Sequence, residues 1–192
     1  MKIGYQLKQV RERLAKGLVD KGVLRTEKRN FLLFDMATHP VSDPTFKDDV
    51  LKRTLGLLTA RTAAVPSSTL YSANVRYRTL RAVSMVCAAF AANVLENALV
   101  HLGYDQREAA FAKCDELLAE YSQWPFGAVR APGAGGIAVG SGAGASESAN
   151  LAEINRLVRG EMVGSGGEET AKIELHMEIV AAILEVYRRM DR

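Results

Sequence analysis

The stretch Ala82-Val83-Ser84-Met85-Val86-Cys87-Ala88-Ala89-Phe90-Ala91-Ala92-Asn93-Val94-Leu95 contains no charged residue. Small and apolar residues stand on every side of the helix that it predicts, which we place over residues 75–101. A helix that is apolar all round is normally buried, and the stretch is shorter than the roughly 18 residues of a membrane span. It therefore predicts the central helix of a bundle in a mostly α-helical protein.

Two further helices are predicted before the central one. Residues 4–21 carry apolar residues at steps of three and four (Leu7, Val10, Leu14 and Leu18), and Gly22 is typical of a helix end. Asp43-Pro44 pairs a capping side chain with proline at the first helical position. That helix should run to about Arg61 with Phe46, Val50, Leu51, Leu55 and Leu58 inward.

Three more helices are predicted after the central one. Asp105-Gln106-Arg107-Glu108 is typical of a capping box and should open a helix to about Tyr121. Residues 127–149, rich in glycine, alanine and serine, predict a flexible insert. A short helix near 150–159 and a last helix over 170–190 follow. With 192 residues and 48% hydrophobic content, we expect one domain of this helical kind.

One β-hairpin is predicted between the first two helices. From the residues alone, Val23–Thr26 and Phe31–Met36 read as strands around the polar residues 27–30. Phe31 and Leu33 would face one side and Leu32 and Phe34 the other, so both faces are apolar and need a covering partner.

Positive charge is concentrated at the start of the chain. Nine of the first thirty residues are Lys or Arg and three are acidic, which gives 9 − 3 = +6, whereas the whole chain carries +3. Three interpretations remain open: a solvated helix face, a nucleic-acid or other polyanion-binding module, or a surface for anionic lipid headgroups. The last of these also uses the apolar hairpin that follows.

Signals for catalysis are missing from the sequence. Gly133–Ala138 matches a dinucleotide pattern, but it follows no strand and opens no predicted helix. The three histidines are scattered, and Cys87 and Cys114 lack metal or redox spacing. We therefore predict a protein that is not an enzyme and that needs no metal or cofactor.

Several long motifs resemble the Golgi phosphoprotein 3 family. They are the stretches Tyr5–Lys16, Glu27–Pro40 and Ala92–Asn97, and Tyr187–Asp191 resembles the end of the family's yeast member. The resemblance runs from about residue 5 to the C-terminus, apart from the glycine-rich insert. Compared with the family, the chain is expected to lack an N-terminal third that supplies part of the family's lipid pocket.

The resemblance implies a peripheral membrane adaptor on the cytosolic face of the Golgi and in the cytosol. Such proteins bind phosphatidylinositol 4-phosphate, engage coatomer, and retain or retrieve glycosyltransferases by their cytosolic tails. Lys8 and Arg11 would contact the lipid phosphate, on one flank of the first helix. The family's hairpin falls on Glu27–Thr38, with Phe31, Leu32, Leu33 and Phe34 exposed for membrane contact and homo-oligomer formation. No nucleic-acid partner is implied.

Overall fold

The structure is a computed structural model that describes residues 8–31, 34–60, 74–126, 143–162 and 168–190, with backbone alone at 31, 34–36, 143–149 and 168–171. These residues form seven helices and one two-stranded sheet. The elements are α1 (Val10–Asp20), β1 (Glu27–Phe31), β2 (Phe34–Thr38), α2 (Pro44–Leu58), α3 (Arg78–Ala91), α4 (Glu96–Leu99), α5 (Tyr104–Tyr121), α6 (Ala143–Met162) and α7 (Glu168–Arg188). The prediction of a mostly α-helical fold with one hairpin is confirmed.

The chain divides into two compact units, Met1–Val50 and Leu51–Arg192. The first unit contains α1, the hairpin and the start of α2. The second contains the rest of α2 and the helices from α3 to α7. The description of the chain as one domain stays a prediction.

Helix α1 ends as its sequence predicts. Gly22 has a φ of 73°, which favours a residue without a side chain. Its N–H donates to the carbonyl of Val19 at 2.9 Å, and the N–H of Val23 donates to the carbonyl of Leu18 at 3.0 Å. These two bonds are those of a Schellman motif, so carbonyls that the helix leaves unpaired receive donors.

The start of α1 differs from the prediction. Among the described residues the helix begins at Val10, because Gln9 has the left-handed φ of 54°. Lys8 therefore precedes the helix, and the prediction that Lys8 and Arg11 share one helical flank is wrong. Leu7 lies outside the described residues.

The hairpin lies at Glu27–Thr38, where the family resemblance placed it. β1 and β2 pair antiparallel, from Glu27 opposite Thr38 at the open end to Phe31 opposite Phe34 at the turn. The strands predicted from the residues alone, Val23–Thr26 and Phe31–Met36, are wrong, because the polar residues 27–30 lie in β1 rather than in the turn. A two-stranded ladder tolerates polar residues on a face that needs no burial. Leu32 and Leu33 fall outside the described residues.

Helix α2 begins as predicted, but of the side chains predicted to be inward only Leu58 is among those that it buries. The Asp43 carboxylate accepts a hydrogen bond of 2.9 Å from the Thr45 N–H, and the bonds from Thr45 lower the pKa of that carboxyl. The helix ends at Leu58, before the predicted Arg61. Only its second half is buried, at Arg53, Thr54, Leu57 and Leu58, whereas Val50 is 40% exposed.

The central helix is α3, and it is shorter than predicted. It contacts α5, α6 and α7, and Val83, Val86 and Cys87 have no exposed surface. The predicted helix over 75–101 is interrupted, because Asn93 adopts a left-handed φ of 56° and two bonds from Asn93 and Val94 return to Phe90 and Ala89. This asparagine ends α3 in the same way that Gly22 ends α1.

Helix α5 has the predicted end and a different start. Ala110, Cys114, Leu117 and Leu118 are buried, while Phe111 is partly buried against the core. The capping box at Asp105 is wrong: the helix begins at Tyr104 after Gly103, and no side chain caps it. Asp105 stands in the first turn, where a carboxylate still favours the positive end of the helix dipole.

Helices α6 and α7 complete the second unit. α6 starts at Ala143, so it includes residues 143–149 of the predicted insert and extends the helix expected near 150–159. The remainder of the insert, 127–142, lies outside the described residues.

Helix α7 has apolar side chains on two opposite faces. Met177, Ala181 and Leu184 are buried in the core. On the other side an outer stripe runs for roughly 16 Å and consists of Leu175, Ile179, Ile183 and Val186, which are 47–60% exposed.

Candidate functional site

The basic segment is a surface feature of the first unit. Residues 8–31 contain eight basic and three acidic residues, which gives 8 − 3 = +5, and all eight basic side chains are exposed. Glu27 pairs with Arg25 at 3.3 Å and with Arg29 at 3.8 Å. Within the described part of the chain, Lys8 and Arg11 form no ion pair. Their charges are therefore available to an anionic partner.

An exposed apolar stripe on α1 lies beside these charges. Val10, Leu14 and Leu18 are 42%, 62% and 39% exposed, and they lie on one side of the helix at steps of four residues. At about 100° per residue, Arg11 borders one edge of the stripe and Arg13 the other. An apolar stripe between basic side chains is the pattern of helices that lie at the surface of an anionic membrane.

Lys8 and Arg11 are brought to one end of α1, although not onto one helical face. Both are exposed. The N–H of Arg13 donates to the carbonyl of Gln9 at 3.0 Å. This bond closes the first helical turn, which contains Arg11 and directly follows Lys8. Their contact with a lipid phosphate stays a prediction.

The hairpin places a second group of functional candidates at its turn. Phe31 and Phe34 are the last pair of the ladder, and Leu32 and Leu33, which stand between them in the sequence, lie outside the described residues. The opposite end is fixed by the Thr38 hydroxyl, which donates to the carbonyl of Glu27 at 3.0 Å. The exposure of the four apolar side chains lies outside what the structure describes and stays a prediction.

The second unit contains a polar cluster that the sequence did not indicate. One carboxylate oxygen of Glu161 on α6 accepts bonds from the N–H and the hydroxyl of Thr79, at 2.8 and 2.7 Å. Tyr121 donates its hydroxyl to Asn155, whose amide in turn donates to Glu120 at 2.7 Å. Burial raises the pKa of the Tyr121 hydroxyl, so it stays a donor. These partners are 34 to 82 positions apart in the chain, and periodicity cannot indicate such contacts.

A cavity of about 220 Å³ lies between the end of α5 and α6. Its walls include Tyr121, Trp124, Phe126, Val158, Arg159 and Met162. The rings are packed together: Phe126 lies 4.9 Å from both Tyr121 and Trp124 between ring centroids. In the sequence, this cavity is indicated only by the two aromatic residues that flank Pro125. Nothing in the sequence around Arg159 indicates that this residue lines a cavity.

Other kinds of site have no support in the described residues. No group of three or more His, Cys, Asp or Glu there could hold a metal ion. No described helix is long and apolar enough to cross a membrane. The dinucleotide-like motif at 133–138 lies outside the described residues.

Comparison with known proteins agrees with the motifs of the basic segment. The sequence profile of the family described as Golgi phosphoprotein 3 (GPP34) matches residues 2–132. The vacuolar protein sorting-associated protein 74 of Schizosaccharomyces pombe is 48% identical over 191 residues, and its namesake from Eremothecium gossypii is 44% identical. Each alignment covers 100% of this chain and 51% or 52% of the relative. The chain thus spans about half the length of the curated relatives it matches. Because the family profile matches well over half of its residues, the chain belongs to the Golgi phosphoprotein 3 family.

Proposed function

We propose that this protein is a peripheral Golgi membrane adaptor in vesicle-mediated sorting. The match to the Golgi phosphoprotein 3 family over residues 2–132 carries the proposal, since that range contains the whole basic segment and the hairpin. The relatives' names refer to vacuolar protein sorting, which supports a role in membrane traffic. In this role the protein binds phosphatidylinositol 4-phosphate and retains or retrieves glycosyltransferases through coatomer vesicles.

Membrane attachment is proposed to use the surface of α1. Its basic side chains lie beside an exposed apolar stripe. The basic side chains can therefore contact lipid headgroups while the apolar side chains of the same surface contact the outer part of the acyl chains. Lysine and arginine near an anionic bilayer contribute roughly 1 kcal/mol each. Lys8 and Arg11 are assigned to the lipid phosphate, because charge-assisted bonds to a phosphate are stronger than neutral ones.

Co-sedimentation with liposomes tests this assignment. Vesicles with phosphatidylinositol 4-phosphate are compared with vesicles that carry the same charge as phosphatidylserine. Lys8→Ala/Arg11→Ala is compared with the matched double variant Lys16→Ala/Lys21→Ala, which also removes two exposed positive charges. We expect a preference for the 4-phosphate that only the first pair abolishes.

The same experiment distinguishes the alternative function. A polyanion-binding or nucleic-acid module would lose equal affinity in both double variants and would be displaced by DNA. Equal losses together with displacement by DNA would reject the adaptor assignment. In cells, Lys8→Ala/Arg11→Ala should move the protein from the Golgi to the cytosol, and normal Golgi staining would also reject the role of this pair.

Self-association is proposed to use the hairpin turn. Apolar side chains at a projecting turn are covered when two copies or a membrane meet them, and each large one contributes roughly 1.5–3 kcal/mol on full burial. Leu32→Ser/Leu33→Ser should lower the oligomer mass in light scattering. The control Val41→Ser/Val50→Ser changes two exposed apolar residues outside the hairpin and should leave the mass unchanged.

A further inference from the structure

The cavity between α5 and α6 has walls made of carbon. Trp124, Phe126, Val158 and Met162 contribute rings and aliphatic groups, and the surface of the cavity is almost entirely apolar. Two of these residues belong to the core, since Val158 is 1% exposed and Phe126 is 6% exposed. Such a cavity disfavours ions and hydrogen-bonding groups, because a polar atom that enters it loses its bonds to water.

The polar residues beside the cavity direct their hydrogen bonds elsewhere. The Tyr121 hydroxyl donates to Asn155 at 2.8 Å, and the Asn155 amide donates to Glu120 at 2.7 Å. Arg159 is exposed, and its guanidinium donates to the carbonyl of Phe126 at 3.3 Å. Because the wall is apolar, Arg159 contributes its aliphatic stem to the wall rather than its charge. A bound molecule therefore meets a described wall that offers it carbon instead of hydrogen-bonding atoms.

We propose that this cavity binds a small neutral molecule with an aromatic ring. The rings of Trp124 and Phe126 lie edge to face at 85° with their centroids 4.9 Å apart, and a further ring extends this arrangement. The thioether of Met162 on the same wall also favours contact with a ring. Cavities of about 150 Å³ hold benzene, so 220 Å³ accommodates a ring with a short alkyl substituent. The proposal does not rest on the adaptor function.

Toluene and phenol test the proposal, since the two molecules have nearly the same shape and phenol carries a hydroxyl in place of the methyl group. Trp124 is the only tryptophan in the chain and lies on the cavity wall, so its fluorescence reports on occupancy. We expect toluene to change that fluorescence in a saturable way, with a Kd on the order of 1 mM for a ligand of this size. Phenol should bind about tenfold more weakly, because its hydroxyl would be buried without a partner.

A variant that fills the cavity locates the bound molecule. Val158→Phe adds a ring to the wall and takes up most of the volume that toluene needs, so it should weaken toluene binding about tenfold or more. Val100→Phe makes the same change at a residue that is 60% exposed and should leave the Kd unchanged. If Val158→Phe proves unfolded in circular dichroism, Met162→Phe replaces it at a wall position that is only partly buried.

Each of three results would overturn the proposal. The first is the absence of a saturable response up to the solubility of toluene in water. The second is equal binding of toluene and phenol, which would show that the bound molecule does not lie against an apolar wall. The third is a folded cavity-filling variant that binds toluene as tightly as the unaltered protein does.

Discussion

Replacement of Glu161 by alanine should destabilise the helical bundle through the start of α3. Tyr77, which precedes that helix, provides no side-chain cap, and the carboxylate of Glu161 takes this role from α6. It accepts the N–H and the hydroxyl of Thr79 at 2.8 and 2.7 Å. Because Thr79 is only 4% exposed, Glu161→Ala leaves two donors that water reaches poorly.

The expected loss can be estimated from these contacts. A hydrogen bond to a charged group contributes about 1.5–3 kcal/mol, and a buried donor left alone costs about 1–3 kcal/mol. The second carboxylate oxygen of Glu161 is itself buried without a hydrogen-bond partner among the described residues, so its release offsets part of the loss. We expect Glu161→Ala to lower the free energy of unfolding by about 2–4 kcal/mol.

Urea denaturation followed by circular dichroism measures this loss. Glu161→Gln keeps one oxygen acceptor for Thr79 and should lower the free energy of unfolding by no more than about 1 kcal/mol. Glu153→Ala on the same helix removes an exposed partner of Arg156 and should leave stability unchanged. If Glu161→Ala unfolds at the same urea concentration as Glu153→Ala, the capping role is refuted.

Three further predictions concern the helices and the thiols. Gly22→Ala should destabilise α1 by about 1 kcal/mol because its φ is 73°, whereas Gly17→Ala, whose added methyl meets nothing within 4 Å, should stabilise it by a similar amount; helicity by circular dichroism compares the two. Cys87 and Cys114 are fully buried, so a thiol reagent should titrate them only in denaturant, and rapid labelling of the native protein would contradict the packing. Arg188 and Arg189 lower the pKa of Glu185 from 4.5 to about 2, so the stability that this carboxylate contributes is present above pH 4.5 and is lost as the pH falls toward 2; Glu185→Gln should flatten acid unfolding in this window, and an unchanged profile would show that these bonds do not hold in solution.

Local chemistry in the sequence correctly predicted the start of α2 and the end of α1. Asp43-Pro44 and Gly22 act as their residue types indicate, because each needs only its immediate neighbours. The apolar stretch at 82–95 correctly indicated the helix that contacts α5, α6 and α7. Its end was missed because Asn93 is polar and exposed, and a left-handed asparagine leaves no mark in apolar periodicity.

Features that depend on contacts between residues far apart in the chain could not be predicted from hydrophobic periodicity. Arg53 and Thr54 are buried although their types favour the surface, so the predicted face of α2 was displaced. The hairpin was misplaced from the residues alone, since its first strand begins with Glu27-Lys28-Arg29-Asn30, and it was placed correctly only through the family resemblance. Arg159 and Trp124 meet at one cavity because α6 packs there, and no spacing in the sequence indicates this.

The two apolar faces of α7 have a consequence for how the chain folds. A helix with a single apolar face can dock on a bundle in one rotation, and polar side chains penalise the others. In α7 a half-turn would offer Leu175, Ile179, Ile183 and Val186 to the core instead of Met177, Ala181 and Leu184, at little cost in hydrophobicity. The native rotation is selected by fit, since small Ala181 permits close approach and the bulkier outer residues do not. A docking of α7 turned by half a revolution is therefore opposed less by hydrophobicity than it would be for a helix with one apolar face, and the core must discriminate by shape.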